Sequence, residues 1–247
     1  MPFAERLVAH RGYRRHYPEN TLLAHREAVA AGARAIETDI QLSADLQPVL
    51  YHDATLARVS GRRGRIDAHP LGQLLGLPAH EPRRFGQRFA ANTITPLAAL
   101  AAWLADHPEV TAYVEVKREA LAFAGAAACY RSIADCLAPI AGRCVLISFD
   151  YAFIAHARER GWRRCGLVLE RWRDHHSREL AGLHPEALFC DYRKVPARAR
   201  LDDLVPELVL YEIATADLAL HWLERGADRI ETFDIGGLLH ALTRHRL

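Results

Sequence analysis

Two acidic residues stand two positions apart in the segment AIETDIQL, and their spacing is a first indication of chemistry. Because side chains alternate along a strand, Glu37 and Asp39 would share one face. Two carboxylates on one face repel each other, and a cation held between them relieves that repulsion. Hard oxygen ligands of this kind suit Mg²⁺ or Ca²⁺. A Glu-x-Asp pair is also common on half-exposed strands, so the pair alone leaves both explanations open.

Three further segments carry residues of the kinds that active sites use. They are LVAHR, with His10 and Arg11; PVLYHD, with His52 and Asp53; and TAYVEVK, with Glu115 and Lys117 on one face and Val114 and Val116 on the other. Taken singly, a lone histidine is usually structural, and a Glu-x-Lys pair is usually a weak surface ion pair. All of them, however, fall at the predicted ends of consecutive strands, where the active site of a parallel barrel lies.

The strands that position these residues alternate with helices along the chain. We predict strands over residues 6–9, 35–42, 112–116, 144–147, 165–169, 187–190, 207–211 and 229–231. We predict helices over residues 21–31, 96–106, 120–137, 152–160, 216–225 and 237–244, and shorter ones over 176–181 and 199–204. Asn20 is expected to cap the first helix and Gly32 to end it. Eight such units indicate an α/β fold, a single (β/α)8 TIM barrel, and a doubly wound open sheet is the alternative.

Residues 54–93 interrupt this alternation, because they are rich in Gly, Pro, Arg and His and show little periodicity. The segment is too long for an ordinary loop. We expect it to form a small insertion over the catalytic end of the barrel, within one domain that spans residues 1–247.

The composition excludes several classes of protein. Half of the 247 residues are hydrophobic and the formal net charge is +2, so disorder is not expected and nothing indicates a nucleic-acid partner. The five cysteines show no CxxC or zinc spacing, which favours buried reduced thiols. We find no signal-peptide pattern and no apolar run of about 20 residues, so we expect no integral membrane segment and a cytoplasmic location.

Together the motifs resemble those of the glycerophosphodiester phosphodiesterase family, whose fold is a TIM barrel. AHRGYRRHYPENT is similar to the family's opening motif, and AIETDIQLSADLQPVLYHDATLARVSGRRG to its second block. YVEVK resembles its Glu-x-Lys strand and LISFD its Ser-Phe motif. The end of the chain departs from the pattern. Tyr211-Glu212-Ile213 stands where the family has Trp-Thr, and ETFDIGG, with Thr232 and Asp234, lacks the proline of the usual ending.

The resemblance implies metal-dependent hydrolysis of a small-molecule phosphodiester to sn-glycerol 3-phosphate and an alcohol. A divalent Mg²⁺ or Ca²⁺ ion would be held by Glu37, Asp39 and Glu115, and Arg11 and Lys117 would bind the phosphate. His10 would act as base and His52 as acid, with the roles exchanged if a cyclic phosphate forms. Supporting roles are implied for three more residues: Glu19, Asn20, which is otherwise only a helix cap, and Asp53, which either orients His52 or caps a turn.

Two other functions remain open at this point. A lysophospholipase D would need an exposed apolar face for the acyl chain, and LGQLLGLP, residues 71–78, is a candidate for it, although core packing explains that segment equally well. A non-catalytic barrel that binds phosphorylated metabolites is the other alternative. The sequence leaves the leaving alcohol, the identity of the metal and the oligomeric state undetermined.

Overall fold

A closed barrel of parallel strands forms the centre of the computed structural model, which describes residues 2–201, 204 and 206–245. The strands are β1 (Leu7–His10), β2 (Ala35–Leu42), β3 (Pro48–Leu50), β4 (Thr111–Val116), β5 (Cys144–Ser148), β6 (Cys165–Val168), β7 (Ala187–Asp191), β8 (Glu207–Tyr211) and β9 (Arg229–Thr232). β3 pairs antiparallel with β2, and the other eight strands are parallel. Because β1 pairs with both β2 and β9, the sheet closes. The predicted barrel is therefore confirmed and the open sheet is wrong.

Helices connect the strands on the outside of the barrel. They are α1 (Leu22–Ala30), α2 (Ala57–Ser60), α3 (Leu71–Leu74), α4 (Pro82–Phe85), α5 (Leu97–Ala105), α6 (Arg118–Ala124), α7 (Ala126–Leu137), α8 (Tyr151–Glu159), α9 (Arg178–Leu183), α10 (Ala216–Glu224) and α11 (Ile235–Arg244). Short 3-10 helices cover Phe3–Arg6, Ile66–Ala68, Ala138–Arg143, Trp172–His176 and Tyr192–Lys194.

Two of the predicted helices differ in detail. The helix over 120–137 is divided into α6 and α7 at Gly125, whose φ of 77° does not fit a helix. The first helix is capped by Thr21, not Asn20, because the Thr21 hydroxyl accepts a hydrogen bond from the Ala24 amide at 3.1 Å. The predicted helix over 199–204 includes Asp202 and Asp203, which lie outside the described residues.

Alternation along the strands produces two apolar layers. Side chains that point inward, such as Val8, Tyr113 and Phe189, fill the interior of the barrel. The alternate residues, among them Val114 and Val116, pack against the helices, as the sequence predicted. Inward-facing positions nearer the C-terminal ends of the strands are polar, and they form the site described below.

The segment 54–93 forms α2, α3 and α4 with a small apolar cluster of its own. Within LGQLLGLP, Leu74 is fully buried, and Leu71 and Leu77 pack against the same cluster. Leu75 is 39% exposed. Most of the apolar side chains of this segment therefore pack against one another. This favours the core-packing explanation over an exposed surface for an acyl chain.

In the part of the chain that the structure describes, no single helix is long and apolar enough to cross a membrane. One bent pair, Arg118–Ala124 with Ala126–Arg143, meets the length and composition only when its two parts are joined across a bend of 112°.

Candidate active site

A cavity of about 190 Å³ lies at the C-terminal ends of the strands. One wall is polar and comes mainly from β1, β2 and β4, and the opposite wall is largely apolar and comes from β5 to β8. The polar lining residues are His10, Arg11, Glu37, His52, Glu115, Lys117, Glu212 and Glu231, and the others are Ile147, Phe149, Val168, Phe189 and Tyr211. Six of the seven predicted site residues thus line one cavity, and Asp39 contacts two of them, Arg11 and Lys117.

The three predicted metal ligands lie on the inward faces of β2 and β4. Parallel pairing sets Asp39 beside Glu115, and alternation brings Glu37 to the same face. Oxygen atoms of Glu37, Asp39 and Glu115 all lie within 4.8 Å of one another. Ligands on opposite sides of a Mg²⁺ or Ca²⁺ ion are about 4–5 Å apart, so the set has the dimensions and the hard oxygen donors of a cation site.

Basic side chains and an amide hold Asp39 in its ionised form. Arg11 Nε lies 2.8 Å from Asp39 Oδ2, and Asn20 Nδ2 donates a hydrogen bond to the same oxygen at 2.8 Å. Burial alone would raise the pKa of Asp39, but the charges of Arg11 and Lys117 outweigh it and lower the pKa. Asn20 also accepts hydrogen bonds from Thr38 Oγ1 and the Asp39 amide. Asn20 therefore supports β2, and the alternative role as a helix cap does not apply.

Lys117 neutralises part of the charge in this group. Its Nζ donates a hydrogen bond to Glu115 Oε1 at 2.6 Å and lies 3.4 Å from Asp39 Oδ1. Burial opposes protonation of Lys117, but the charges of Asp39 and Glu115 raise its pKa above the usual lysine value.

No lysine or arginine side chain among the described residues forms a direct ion pair with Glu37, although the charge of Arg11 acts on it from farther away. Glu37 Oε2 accepts a hydrogen bond from the Arg11 amide at 3.1 Å, whereas Oε1 is buried without a hydrogen-bond partner among the described residues. Burial, together with the charge of Asp39, raises the pKa of Glu37 well above the usual value. An unpartnered buried oxygen beside two further carboxylates fits a bound cation, because an isolated buried charge is costly.

Glu231 is a cavity residue that the sequence reasoning missed. It lies on β9 opposite Val8 of β1, fully buried, and its Oε1 also lacks a partner in the described part of the chain. The signal was present, because Glu231 follows an isoleucine near the end of a predicted strand. Asp234 caps α11 by accepting from the Gly237 amide.

His10 ends β1 and is buried against the carboxylates. Its Nε2 lies 3.9 Å from Glu37 Oε2, and its Nδ1 lies 3.9 Å from Glu212 Oε1, beyond hydrogen-bond distance in both cases. Burial, and after it the charge of Arg11, lowers the pKa of His10 well below the usual histidine value. The imidazole is therefore neutral near pH 7 and able to accept a proton.

His52 is held by Asp53, which is itself bound by Arg58. Its Nδ1 is 2.7 Å from Asp53 Oδ1, and Arg58 binds Asp53 through Nε and Nη2 at 2.7 and 2.8 Å. The side chain of His52 remains 34% exposed at the cavity. Asp53 therefore contacts the ring of His52, which favours the orienting role over a turn cap.

Glu19 connects three arginines beside the polar wall of the cavity. Its buried carboxylate lies 3.1 Å from Arg11 Nη1, 2.9 Å from Arg14 Nε and 2.7 Å from Arg58 Nη2. Burial would raise the pKa of Glu19, but the hydrogen bond from Arg58 and the charges of Arg11 and Arg14 outweigh it and lower the pKa to about 2.

The lowered pKa of Glu19 predicts a loss of stability in acid. The ionised Glu19 stabilises the fold fully above its unfolded pKa, about 4.5, and the stabilisation disappears as the pH falls toward 2. It amounts to about 3 kcal/mol. Urea unfolding of wild type and Glu19→Gln at pH 7 and pH 3 should show a smaller pH-dependent loss in the variant. Exposed Glu224→Gln is the control, and an identical loss in wild type and Glu19→Gln would contradict the assignment.

Residues His10, Arg11 and Gly12, the HRG motif, have an unusual backbone conformation that positions the Arg11 side chain. Arg11 and Gly12 both have positive φ, 56° and 79°. A Cβ at Gly12 would lie 2.6 Å from the Ala24 carbonyl carbon, so glycine allows the chain to pass close to α1. The backbone of Gly12 therefore approaches α1, a helix of the protein itself.

Comparison with known proteins identifies the fold and the family of the chain. A curated glycerophosphodiester phosphodiesterase of Caldanaerobacter subterraneus is 36% identical over 91 residues, 37% of this chain and 37% of its own length. The chain spans about a third of the length of the first curated relatives it matches. A phosphodiesterase of Oleispira antarctica, solved in complex with the product sn-glycerol-3-phosphate, shares the fold with a TM-score of 0.83 at 22% identity, over 96% of each chain.

A glycerophosphodiester phosphodiesterase of Agrobacterium tumefaciens has the same fold, with a TM-score of 0.77 at 20% identity over 97% of this chain and 100% of that one. The model of the Glycerophosphoryl diester phosphodiesterase family matches residues 10–182, from the first histidine of the site to a residue within α9. With more than half of its length matched, and as its motifs predicted, the chain belongs to the glycerophosphoryl diester phosphodiesterase family.

Proposed function

We propose that this protein hydrolyses glycerophosphodiesters to sn-glycerol 3-phosphate and an alcohol. The observation that carries the proposal is one cavity lined by two histidines, two cationic side chains, and two of the three carboxylates that could hold a metal, with the third, Asp39, directly behind them. Membership of the family and the product bound in the Oleispira antarctica relative support the choice of substrate.

Glu37, Asp39 and Glu115 would hold one divalent cation, Mg²⁺ or Ca²⁺. When bound, the cation supplies Lewis-acid neutralisation of the charge that develops on the phosphate oxygens. These residues fit the ion because their oxygens lie within 4.8 Å of one another and Glu37 Oε1 is free to coordinate.

Arg11 and Lys117 would bind the phosphate and keep it over the carboxylates. Arg11 is fixed on one side by Asp39 and Glu19, and its Nη2 makes no hydrogen bond within the described residues. A guanidinium held in this way offers a preoriented donor to a phosphate oxygen. Lys117 lines the same cavity and adds a second positive charge.

His10 would accept the proton of the attacking oxygen, because the imidazole is neutral and faces the cavity. His52 would donate a proton to the oxygen of the leaving alcohol as the phosphorus–oxygen bond breaks. If a glycerol hydroxyl attacks first and a cyclic phosphate forms, the two histidines exchange roles when water opens it.

Asp53 should act as a positioning residue for His52. The change Asp53→Asn keeps the shape but removes the charge that holds His52 Nδ1, so kcat should fall by about 10-fold or more, less than on loss of His52. The pH profile of kcat should shift, which a purely structural defect would not produce. Asp45→Asn, at an exposed turn, is the control. An unchanged kcat and pH profile in Asp53→Asn would exclude this role.

The domain organisation proposed with this function is one barrel, residues 1–247, with the 54–93 segment at the catalytic end. Arg58 of α2 supports that placement, since it binds both Asp53 and Glu19. The expected cytoplasmic location remains a prediction.

The substrate is tested by incubating the protein and Mg²⁺ with glycerophosphocholine and, separately, with lysophosphatidylcholine. We expect sn-glycerol 3-phosphate and choline from the first substrate. Preferential cleavage of the second would favour the lysophospholipase D alternative, and binding without turnover of either would favour a non-catalytic barrel.

A further inference from the structure

Glu231 has no part in the proposed reaction, yet it is buried in the barrel beside two residues that do. Ligand atoms of His10, Glu37 and Glu231 all lie within 4.8 Å of one another. This group shares only Glu37 with the Glu37–Asp39–Glu115 set, so the cavity contains two triads of ligand atoms that meet at one carboxylate.

The two triads differ in how their charge is balanced. Lys117 and Arg11 contact Asp39, and Lys117 contacts Glu115. By contrast, no lysine or arginine side-chain nitrogen within the described ranges lies closer than 4.0 Å to the carboxylate of Glu37 or Glu231. Glu37 and Glu231 therefore have less counter-charge than Asp39 and Glu115, because the positive charge of Arg11 acts on them without a direct ion pair.

Unpartnered atoms point to the same place. Glu37 Oε1 and Glu231 Oε1 are both buried without a hydrogen-bond partner among the described residues, and His10 Nε2 lies 3.9 Å from Glu37 Oε2. All three side chains are more than nine-tenths buried. Burying two carboxylates that form no ion pair is costly, unless they lose their charge or a cation joins them.

We propose that His10, Glu37 and Glu231 form a second divalent-cation position, which shares Glu37 with the first and takes a cation that accepts a nitrogen ligand, such as Zn²⁺ or Mn²⁺. Imidazole suits Zn²⁺ better than it suits Mg²⁺ or Ca²⁺, whereas the all-oxygen triad suits the latter ions. A carboxylate shared by two ions is consistent with two-metal sites, in which the ions are about 3.5–4 Å apart. The proposal rests on the same cavity as the proposed function, but not on turnover. A cation at this position would occupy a ring nitrogen of His10, so His10 would act as the base only while the position is empty.

The test is a binding measurement without substrate. Metal-free protein is saturated with Mg²⁺ and then dialysed against increasing Zn²⁺, and the metal bound per chain is counted by elemental analysis. We expect one tightly bound Zn²⁺ per wild-type chain in the presence of excess Mg²⁺. Glu231→Gln should weaken that binding at least about 10-fold, whereas Glu212→Gln, which removes a neighbouring cavity carboxylate outside the triad, should not.

Two results would overturn the proposal: no Zn²⁺ retained by wild type in excess Mg²⁺, or equal retention by wild type and Glu231→Gln. The second result would assign the metal to surface histidines such as His175 and His176. Circular dichroism checks each variant, and if Glu231→Gln does not fold, the wild-type count and a His10→Ala variant decide. Hydrolysis is assayed separately with Mg²⁺ and no Zn²⁺. Zn²⁺ binding without that hydrolysis would contradict the proposed function alone, and hydrolysis without Zn²⁺ binding would contradict this inference alone.

Discussion

Replacing His10 by alanine is expected to lower kcat for glycerophosphocholine by about 10²–10⁴-fold, the usual contribution of one positioned acid–base group. The reason is that His10 is a neutral imidazole at the cavity, with its pKa lowered by burial and by Arg11. The fold should survive, since the contacts of His10 to Glu37 and Glu212 are both 3.9 Å and neither is a hydrogen bond.

The measurement is steady-state kinetics at saturating Mg²⁺, with thermal unfolding as a check on the fold. His240→Ala, an exposed histidine on α11, is the matched control and should keep wild-type kinetics. His52→Ala should show a loss of similar size because it removes the other proton-transfer step. Normal turnover by His10→Ala would remove His10 from the mechanism.

The second large effect is expected for Glu37→Gln. The substitution keeps the side-chain shape and removes a ligand charge, so Mg²⁺ affinity should fall by at least about 10- to 100-fold, and excess Mg²⁺ should restore part of the activity. The metal-free variant should at the same time be more stable than wild type near pH 7. A carboxyl whose pKa is raised by folding destabilises the folded state at pH values above its unfolded pKa.

A lower Mg²⁺ affinity together with a higher stability of the metal-free protein distinguishes a metal ligand from a residue that only supports the fold. Isothermal titration calorimetry gives the affinity for Mg²⁺, and thermal unfolding with and without Mg²⁺ gives the stability. Glu212→Gln, in the same cavity but outside both ligand triads, should leave the affinity unchanged. Wild-type Mg²⁺ affinity in Glu37→Gln would place the cation elsewhere.

Much of this site could be read from the sequence because barrel geometry is local and periodic. Strict alternation put Glu37, Asp39 and Glu115 on inward faces, and the end of each apolar run marked the catalytic end of the barrel. The same rule would have included Glu231, which ends the predicted strand over residues 229–231.

Contacts between distant segments could not be read in this way. Arg58 meets Glu19 across 39 residues because the 54–93 segment folds back on the HRG loop, and no periodic pattern encodes that approach. The break at Gly125 was also hidden, since a helix tolerates an isolated glycine and only the packing of α6 and α7 against their neighbours fixes the turn.

The most direct test of the account is hydrolysis of glycerophosphocholine by wild-type protein after complete removal of metal with EDTA and again after Mg²⁺ or Ca²⁺ is restored. We expect no sn-glycerol 3-phosphate from the metal-free protein and full release after either ion is added. Release at the same rate in EDTA would contradict a cation held by Glu37, Asp39 and Glu115.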